Sequence, residues 1–121
     1  MSTSVLIIDD SLVMRKALRT LLEKTSQWHV CGEADNGEAG VVMVKELNPD
    51  VVILDFEMPI MNGLEAAKYI AAEYPRTPIL MLTMHDTRAI HLCARSAGMR
   101  RVISKSDHFP QTLLSLLSEV S

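Results

Sequence analysis

The chain has 121 residues, 48% of them hydrophobic, and a formal net charge of -3. This length suits one compact domain and leaves little room for a second. The acidic balance gives no general attraction to phosphate backbones, so we expect no direct nucleic-acid binding. We find neither a basic start followed by a long apolar stretch nor an apolar run near the roughly 18 residues that a membrane span requires. These features predict a cytoplasmic protein without a membrane segment.

The two cysteines show no pattern typical of a metal or redox site. Cys31 and Cys93 have neither CxxC spacing nor a nearby histidine cluster. Because both lie in apolar segments, we expect them to be buried thiols.

Five apolar runs predict β-strands. The runs at residues 5–8 and 51–54 are continuous, which is typical of strands that are buried on both faces of a parallel sheet. Shorter runs at residues 29–31, 79–82 and 102–103 repeat the pattern. A helix is predicted after each strand, so the order strand, helix occurs five times.

The predicted helices have apolar stripes at helical spacing and recognisable end signals. Turns at Asn36-Gly37 and Asn48-Pro49 bound the second helix, Gly98 is the predicted C-terminal cap of the fourth, and Pro110 can open the fifth. The buried faces are expected to include Met14, Leu18, Leu21, Leu22, Leu64, Ala67, Ala71, Tyr74, Ile90, Cys93, Ala94, Ala97, Leu113, Leu116, Leu117 and Val120. Right-handed crossovers then favour an α/β fold, a flavodoxin-like (βα)5 three-layer sandwich with sheet order 2-1-3-4-5.

Polar side chains follow four of the five strands. Asp9 and Asp10 follow the first, Asp55 the third, Thr83 the fourth and Lys105 the fifth. In open α/β folds the carboxyl ends of the strands form the binding crevice. The sequence therefore predicts that three acids, a hydroxyl and an amine share one edge of the sheet.

Converging carboxylates need compensation. Two unit charges about 4 Å apart repel by roughly 4 kcal/mol at an effective dielectric constant near 20. Mg²⁺ suits such an edge, since it binds a few carboxylates and keeps several waters, and Lys105 can offset the remaining charge. The same groups suit phosphoryl transfer, in which Asp55 would be the nucleophile that forms an acyl phosphate.

Together these residues resemble the receiver domain of bacterial two-component response regulators. The resemblance is carried by Asp9-Asp10, by the stretch DFEMPIMNG at residues 55–63, and by Thr83 and Lys105 in that order, and it covers essentially the whole chain, residues 1–121. The segments at residues 83–86 and 98–105 are most similar to the subfamily that joins receivers to helix-turn-helix DNA-binding domains.

The resemblance implies a function as a signalling phospho-acceptor, not an enzyme with an external substrate. Asp55 would accept the phosphoryl group from a sensor histidine kinase, and Thr83 and Lys105 would contact its oxygens. Asp10, Asp55 and the backbone carbonyl of Glu57 would bind Mg²⁺, with Asp9 assisting through water. Phosphorylation would change a surface near the fourth and fifth helices, and homodimer formation or a C-terminal DNA-binding output domain outside this chain would read it.

Several positions depart from the family pattern. Val102 stands where the family usually has an aromatic switch residue, and a short β-branched side chain cannot make the same rotameric excursion. Met84 follows Thr83 where a small residue is frequent, and its bulk would narrow access to Asp55. Glu57 and His85 flank the acceptor and are expected to tune the lifetime of the phosphorylated state.

Each polar residue taken alone also has a purely structural interpretation. Asp10 or Ser11 could cap the first helix, Thr83 could cap the fourth, and Asp9 or Lys105 could be solvated. At the level of function, the alternative is a constitutive interaction domain with a degenerate phosphorylation site. A hydrolase with an aspartyl nucleophile is disfavoured, because the residues after Asp55 do not form a D-x-D-x-T pattern.

Overall fold

Strands and helices alternate throughout the chain. The computed structural model describes residues 2–58, 60–84, 87–99, 101–105 and 109–120. Within these ranges the strands are β1 Thr3–Ile8, β2 Trp28–Ala34, β3 Val51–Asp55, β4 Ile79–Thr83 and β5 Arg101–Ser104. The helices are α1 Leu12–Leu22, α2 Gly37–Leu47, α3 Gly63–Glu73, α4 Arg88–Ser96 and α5 Phe109–Val120.

The strands form one parallel sheet in the order β2-β1-β3-β4-β5. The predicted flavodoxin-like fold and strand order are confirmed. Strands β1 and β3 are neighbours at the point where the order reverses, which is where open α/β sheets form their ligand crevice. The two strands that lead into acids therefore lie side by side.

Alternate strand residues face opposite layers of helices. On one face, strand residues such as Leu6, Ile8 and Leu54 pack with side chains of α2, α3 and α4. On the other face, Ile7 and Ile53 pack with side chains of α1 and α5. Both sides of the central strands are thus covered, which explains why their sequences are continuous apolar runs. The predicted three-layer arrangement follows from this alternation.

Polar side chains fix the starts of four helices. Each accepts a hydrogen bond from a backbone N–H in the first turn, as N-cap residues typically do. These residues are Ser11, Asn36, Asn62 and Thr87. Ser11 is therefore the cap of α1, and Thr87, not Thr83, is the cap of α4. At the other end of α4, Gly98 has a φ of 90°, the left-handed conformation expected after a helix.

The structure differs from the sequence predictions at the edge strand and at the cysteines. Strand β2 spans seven residues, although three were expected, because a bulge opposite Val5 and Leu6 lets it continue. Cys31 is partly buried, and Cys93 is exposed, so the prediction of two buried thiols is wrong. On α4 the buried side is formed by Ala94, and Cys93 is rotated about 100° from it.

None of the helices in the described ranges is long and apolar enough to cross a membrane.

Candidate functional site

Three carboxylates meet at the carboxyl edge of β1 and β3. Asp9, Asp10 and Asp55 each offer an oxygen that lies within 4.8 Å of the others. Asp9 and Asp55 are 1% and 2% exposed, whereas Asp10 is exposed to solvent. Asp9 and Asp55 reach this edge side by side, because the residues immediately before them in β1 and β3 pair with each other in the sheet. The predicted convergence of the three acids is confirmed.

Lys105 supplies positive charge to this cluster. Its Nζ donates a hydrogen bond of 3.1 Å to Asp9 Oδ2 and lies 2.9 Å from Asp55 Oδ1. Its side chain is 8% exposed, so these are buried ion pairs. The backbone N–H of Lys105 also donates a 2.8 Å hydrogen bond to the carbonyl of Thr83. The ends of β4 and β5 are therefore joined directly beneath the cluster, and the interpretation of Lys105 as a solvated lysine is wrong.

The electrostatic balance of the site holds the proton of Asp55 more tightly than an ordinary aspartate does. Burial, which is the largest cause, and the charges of Asp9 and Asp10 together raise the pKa of Asp55 from 3.8 to about 7, against the opposing effect of Lys105. For Lys105, burial lowers the pKa, but the two carboxylates outweigh it and the net pKa is raised. The single positive charge of Lys105 therefore does not fully neutralise the carboxylates of the cluster.

Both oxygens of Asp9 already accept hydrogen bonds. Oδ1 accepts from the backbone N–H of Ser11 at 2.9 Å, and Oδ2 accepts from Lys105. The backbone carbonyl of Asp9 accepts a 2.6 Å hydrogen bond from Arg15 Nη1. Asp9 is thus held from three sides, whereas the carboxylate of the adjacent Asp10 is exposed.

Arg15 extends this arrangement away from the cluster. Its Nε donates a 3.1 Å hydrogen bond to Glu33 on β2, and Glu33 also pairs with Arg19 at 2.7 Å. The sequence analysis did not identify Glu33 as a partner of either arginine. No local pattern links a helix to a neighbouring strand, so only the fold shows the contact.

Thr83 is fully buried at the end of β4, and its side chain contacts the loop that follows β3. The Thr83 hydroxyl donates a 3.2 Å hydrogen bond to Glu57 Oε1. Glu57 was expected to take part through its backbone carbonyl and to flank the acceptor. The contact between the Glu57 carboxylate and Thr83 was not foreseen from the sequence.

The loop from Asp55 to α3 is folded closely against the strand end. A Cβ atom on Gly63 would lie 2.3 Å from the backbone oxygen of Asp55, and the Gly63 N–H donates to Phe56 O at 2.9 Å. A glycine at position 63 is therefore required by the close approach of two backbone segments. In the same loop, Ile60 has a φ of 70°, an unusual conformation for a β-branched residue, and is 76% exposed.

Two of the remaining predicted positions, Val102 and Met84, lie within the described residues. Val102 pairs with Met81 in the sheet and is partly buried against the core, and Met84 is 63% exposed. His85 lies outside the described residues, as does Pro59 of the motif.

The acid cluster fits a small divalent cation. Among the described residues, Asp55 Oδ1 is a buried oxygen that accepts no well-aligned hydrogen bond, despite the nearby ammonium group. Hard carboxylate oxygens with some solvent access are the ligands that Mg²⁺ prefers. Asp9, Asp10 and Asp55 each offer one such oxygen to the cluster.

The family model described as the response regulator receiver domain matches residues 5–117. The chain is 49% identical over 110 residues to a protein-glutamate methylesterase/protein-glutamine glutaminase of Nitratidesulfovibrio vulgaris, covering 91% of this chain and 29% of that protein. It is 45% identical over 82 residues to the transcriptional regulatory protein YdfI of Bacillus subtilis, covering 68% of this chain and 38% of that protein.

Solved structures show the same fold. The response regulator domain of Thermotoga maritima CheB superposes with a TM-score of 0.87 at 33% identity, over 99% of this chain and 94% of that one. The chain spans well under half of the two curated relatives. With the matched residues, the strand order and the acid edge in agreement, this chain belongs to the family of response regulator receiver domains.

Proposed function

We propose that this receiver is a phospho-acceptor in two-component signalling, and that Asp55 takes a phosphoryl group from a phosphohistidine of a sensor histidine kinase. The observation that carries the proposal is the meeting of Asp9, Asp10 and Asp55 with Lys105 at the sheet edge. Phosphoryl transfer depends mainly on positioning and on neutralising oxygen charge, and this edge combines a carboxylate nucleophile with a buried cation.

In the proposed reaction, a carboxylate oxygen of Asp55 forms a bond to phosphorus as the phosphorus–nitrogen bond of the phosphohistidine breaks. The electron pair of that bond stays on the imidazole nitrogen, so the product is an aspartyl phosphate. Lys105 and Thr83 would contact the phosphoryl oxygens. Mg²⁺, when bound, would neutralise part of the charge on those oxygens.

For the metal, we propose Asp10, Asp55 and the backbone carbonyl of Glu57 as ligands, with Asp9 acting through water. The hydrogen bonds of Asp9 support this division, because both of its oxygens are already engaged by Ser11 and Lys105. Among the described residues, none restrains the exposed Asp10 carboxylate in this way, so it can meet a hydrated ion.

The acceptor is tested by incubating the chain with a small-molecule phosphodonor and Mg²⁺ and locating the label by mass spectrometry. We expect labelling of the wild type and none of Asp55→Asn. Asp35→Asn is the matched control, since Asp35 is an exposed aspartate that follows β2 at the same edge of the sheet. Equal labelling of the wild type and Asp55→Asn would rule out Asp55 as the acceptor.

We also propose how phosphorylation of Asp55 would be recognised by a partner. Phosphorylation would shift a two-state surface near α4, β5 and α5 that a partner reads, either through homodimer formation or through a DNA-binding output domain beyond this chain. The transcriptional regulatory protein among the relatives supports a role in transcription regulation.

The receiver itself, residues 1–121, would be cytoplasmic, would not bind nucleic acid, and would act on no external substrate. His85 and Met84 would modulate the site, and Val102 would occupy the switch position.

The alternative is a constitutive interaction domain with a degenerate site. The substitutions at Val102 and Met84 motivate it, but the acids, Thr83 and Lys105 are all at the sheet edge, which favours a working phospho-acceptor. Calorimetry with Mg²⁺ and beryllofluoride, a phosphoryl mimic, separates the two. Failure of the wild type to bind either would favour the degenerate site.

A further inference from the structure

We infer that Glu57 is a positioning residue that competes with the phosphoryl group for the hydroxyl of Thr83. The inference rests on the proposed phospho-acceptor role of Asp55 and adds to it a built-in restraint. The unmodified protein holds the Thr83 hydroxyl in a hydrogen bond to Glu57 Oε1 at 3.2 Å. Phosphorylation of Asp55 would have to break this bond before the hydroxyl could serve the phosphoryl oxygens.

The backbone around Thr83 is held on both sides, so the hydroxyl is redirected by side-chain rotation. The Thr83 carbonyl accepts from Lys105 N at 2.8 Å, and the preceding Leu82 carbonyl accepts from Phe56 N at 3.0 Å. Thr83 also pairs with Ser104 in the sheet. A threonine side chain in a strand occupies discrete χ1 rotamers, which makes the change of partner a discrete event.

The chemistry of the hydroxyl makes the two partners mutually exclusive. A hydroxyl has one proton to donate, so it cannot donate to the Glu57 carboxylate and to a phosphoryl oxygen at the same time. The bond to Glu57 is also charge-assisted, and bonds to charged groups stabilise more than neutral ones. Thr83 is fully buried and Glu57 is partly buried, so the bond between them is only partly open to water.

The side chain and the main chain of Glu57 therefore have opposite effects in the proposed site. The backbone carbonyl would bind Mg²⁺ and favour the phosphorylated form, whereas the carboxylate would retain the Thr83 hydroxyl and oppose it. A substitution at position 57 removes the second effect and leaves the carbonyl in place. Mutation of Glu57 can therefore separate the effect of its side chain from the effect of its backbone carbonyl.

The test is a double-mutant cycle on beryllofluoride affinity at saturating Mg²⁺, measured by isothermal titration calorimetry. We expect Glu57→Ala to tighten binding by about ten- to a hundredfold, the equivalent of one released hydrogen bond to a charged group. In the Thr83→Val background the same substitution should change affinity by less than about twofold, since no hydroxyl remains to be released. Glu57→Gln, which keeps an acceptor but loses the charge, should give a smaller gain than Glu57→Ala.

Glu65→Ala is the control for general charge, because Glu65 is an exposed acid at the start of α3. An equal gain from Glu57→Ala with and without the Thr83 hydroxyl would overturn the inference, because the effect would then be charge repulsion alone. No gain in either background would overturn it as well. If the wild type failed to bind beryllofluoride, or if Asp55→Asn bound it equally well, the proposed function would fall and this inference with it.

Discussion

The ammonium group of Lys105 lies 2.9 Å from Asp55 Oδ1, inside the protein and nearly out of contact with solvent. This pair opposes the effect of burial on the charge state of Asp55. We expect Lys105→Met, which keeps the length of the side chain, to raise the pKa of Asp55 above its value of about 7. At neutral pH it should also destabilise the fold by about 3 kcal/mol, because Asp9 and Asp55 lose their buried partner. NMR titration of the Asp55 carboxyl carbon and urea unfolding measure the two effects.

The control is Lys68→Met, at an exposed lysine of α3. An unchanged or lowered pKa of Asp55 in Lys105→Met would contradict the assignment of Lys105 as its stabilising charge.

The stability of the metal-free protein should fall as pH rises. Asp55 has a pKa of about 7 in the folded state and 3.8 as its ordinary value, so the folded state binds this proton more tightly. Its contribution to stability is therefore fully present below about pH 4, is lost between about pH 4 and 7, and stays lost above that range. Asp55→Asn does not titrate, and relative to the wild type it should gain about 1–4 kcal/mol of stability over this interval.

Urea unfolding in the presence of a chelator, at about pH 5 and about pH 8, checks this difference. A constant difference between wild type and Asp55→Asn at the two pH values would show that the pKa of Asp55 is not raised.

Magnesium should stabilise the protein through the acids. At a concentration one hundred times its dissociation constant, a ligand that binds only the folded state adds about 2.7 kcal/mol to the free energy of unfolding. We expect this gain in the wild type and its loss, or a reversal of its sign, in Asp10→Ala. Glu46→Gln, at an exposed acid of α2, should respond as the wild type does. A full response in Asp10→Ala would remove Asp10 from the ligand set.

Two glycines in tight places should respond differently to alanine. At Gly63 the new Cβ would meet the backbone of Asp55 and Phe56 at 2.3 and 2.9 Å, and backbone cannot move without moving the acceptor. At Gly32 it would meet the flexible ends of Leu47 and Met43 at 2.7 Å, which can rotate away. We expect Gly63→Ala to cost about 1–3 kcal/mol and to weaken Mg²⁺ binding.

Gly32→Ala should cost less and leave Mg²⁺ affinity unchanged, so thermal unfolding and metal titration of both variants decide the matter. An equal loss of affinity in the two would argue against a specific role of the loop that follows β3.

The continuous apolar runs predicted the strands β1, β3 and β4 well, because these strands are buried on both faces and need no alternation. The edge strand β2 was underestimated for the opposite reason. Its polar residues such as Glu33 are partly buried, and a bulge interrupts its register. Local pattern carries little information about such a strand.

Within the site, the sequence predicted which residues would meet but not how they would differ. Asp9 and Asp10 are neighbours in the chain, yet one is buried and fully hydrogen-bonded while the other is exposed. Successive residues of an extended chain point their side chains in opposite directions, so the burial of each depends on what packs on its own side. The contact of Thr83 with Glu57 was unforeseeable for the same reason, since it joins the end of β4 to the loop after β3, which only the fold brings together.

Arg15 connects the Asp9 carbonyl to Glu33 on β2, the outermost strand on its side of the sheet. An edge strand is paired along one side only, so local opening events are expected to begin there. Each such event would release the guanidinium group and, with it, one of the restraints on Asp9. The backbone amides around the acid cluster and those of β2 should therefore exchange their hydrogens as one cooperative unit. The fraction of molecules in which Asp9 is fully restrained would then depend on how often β2 opens.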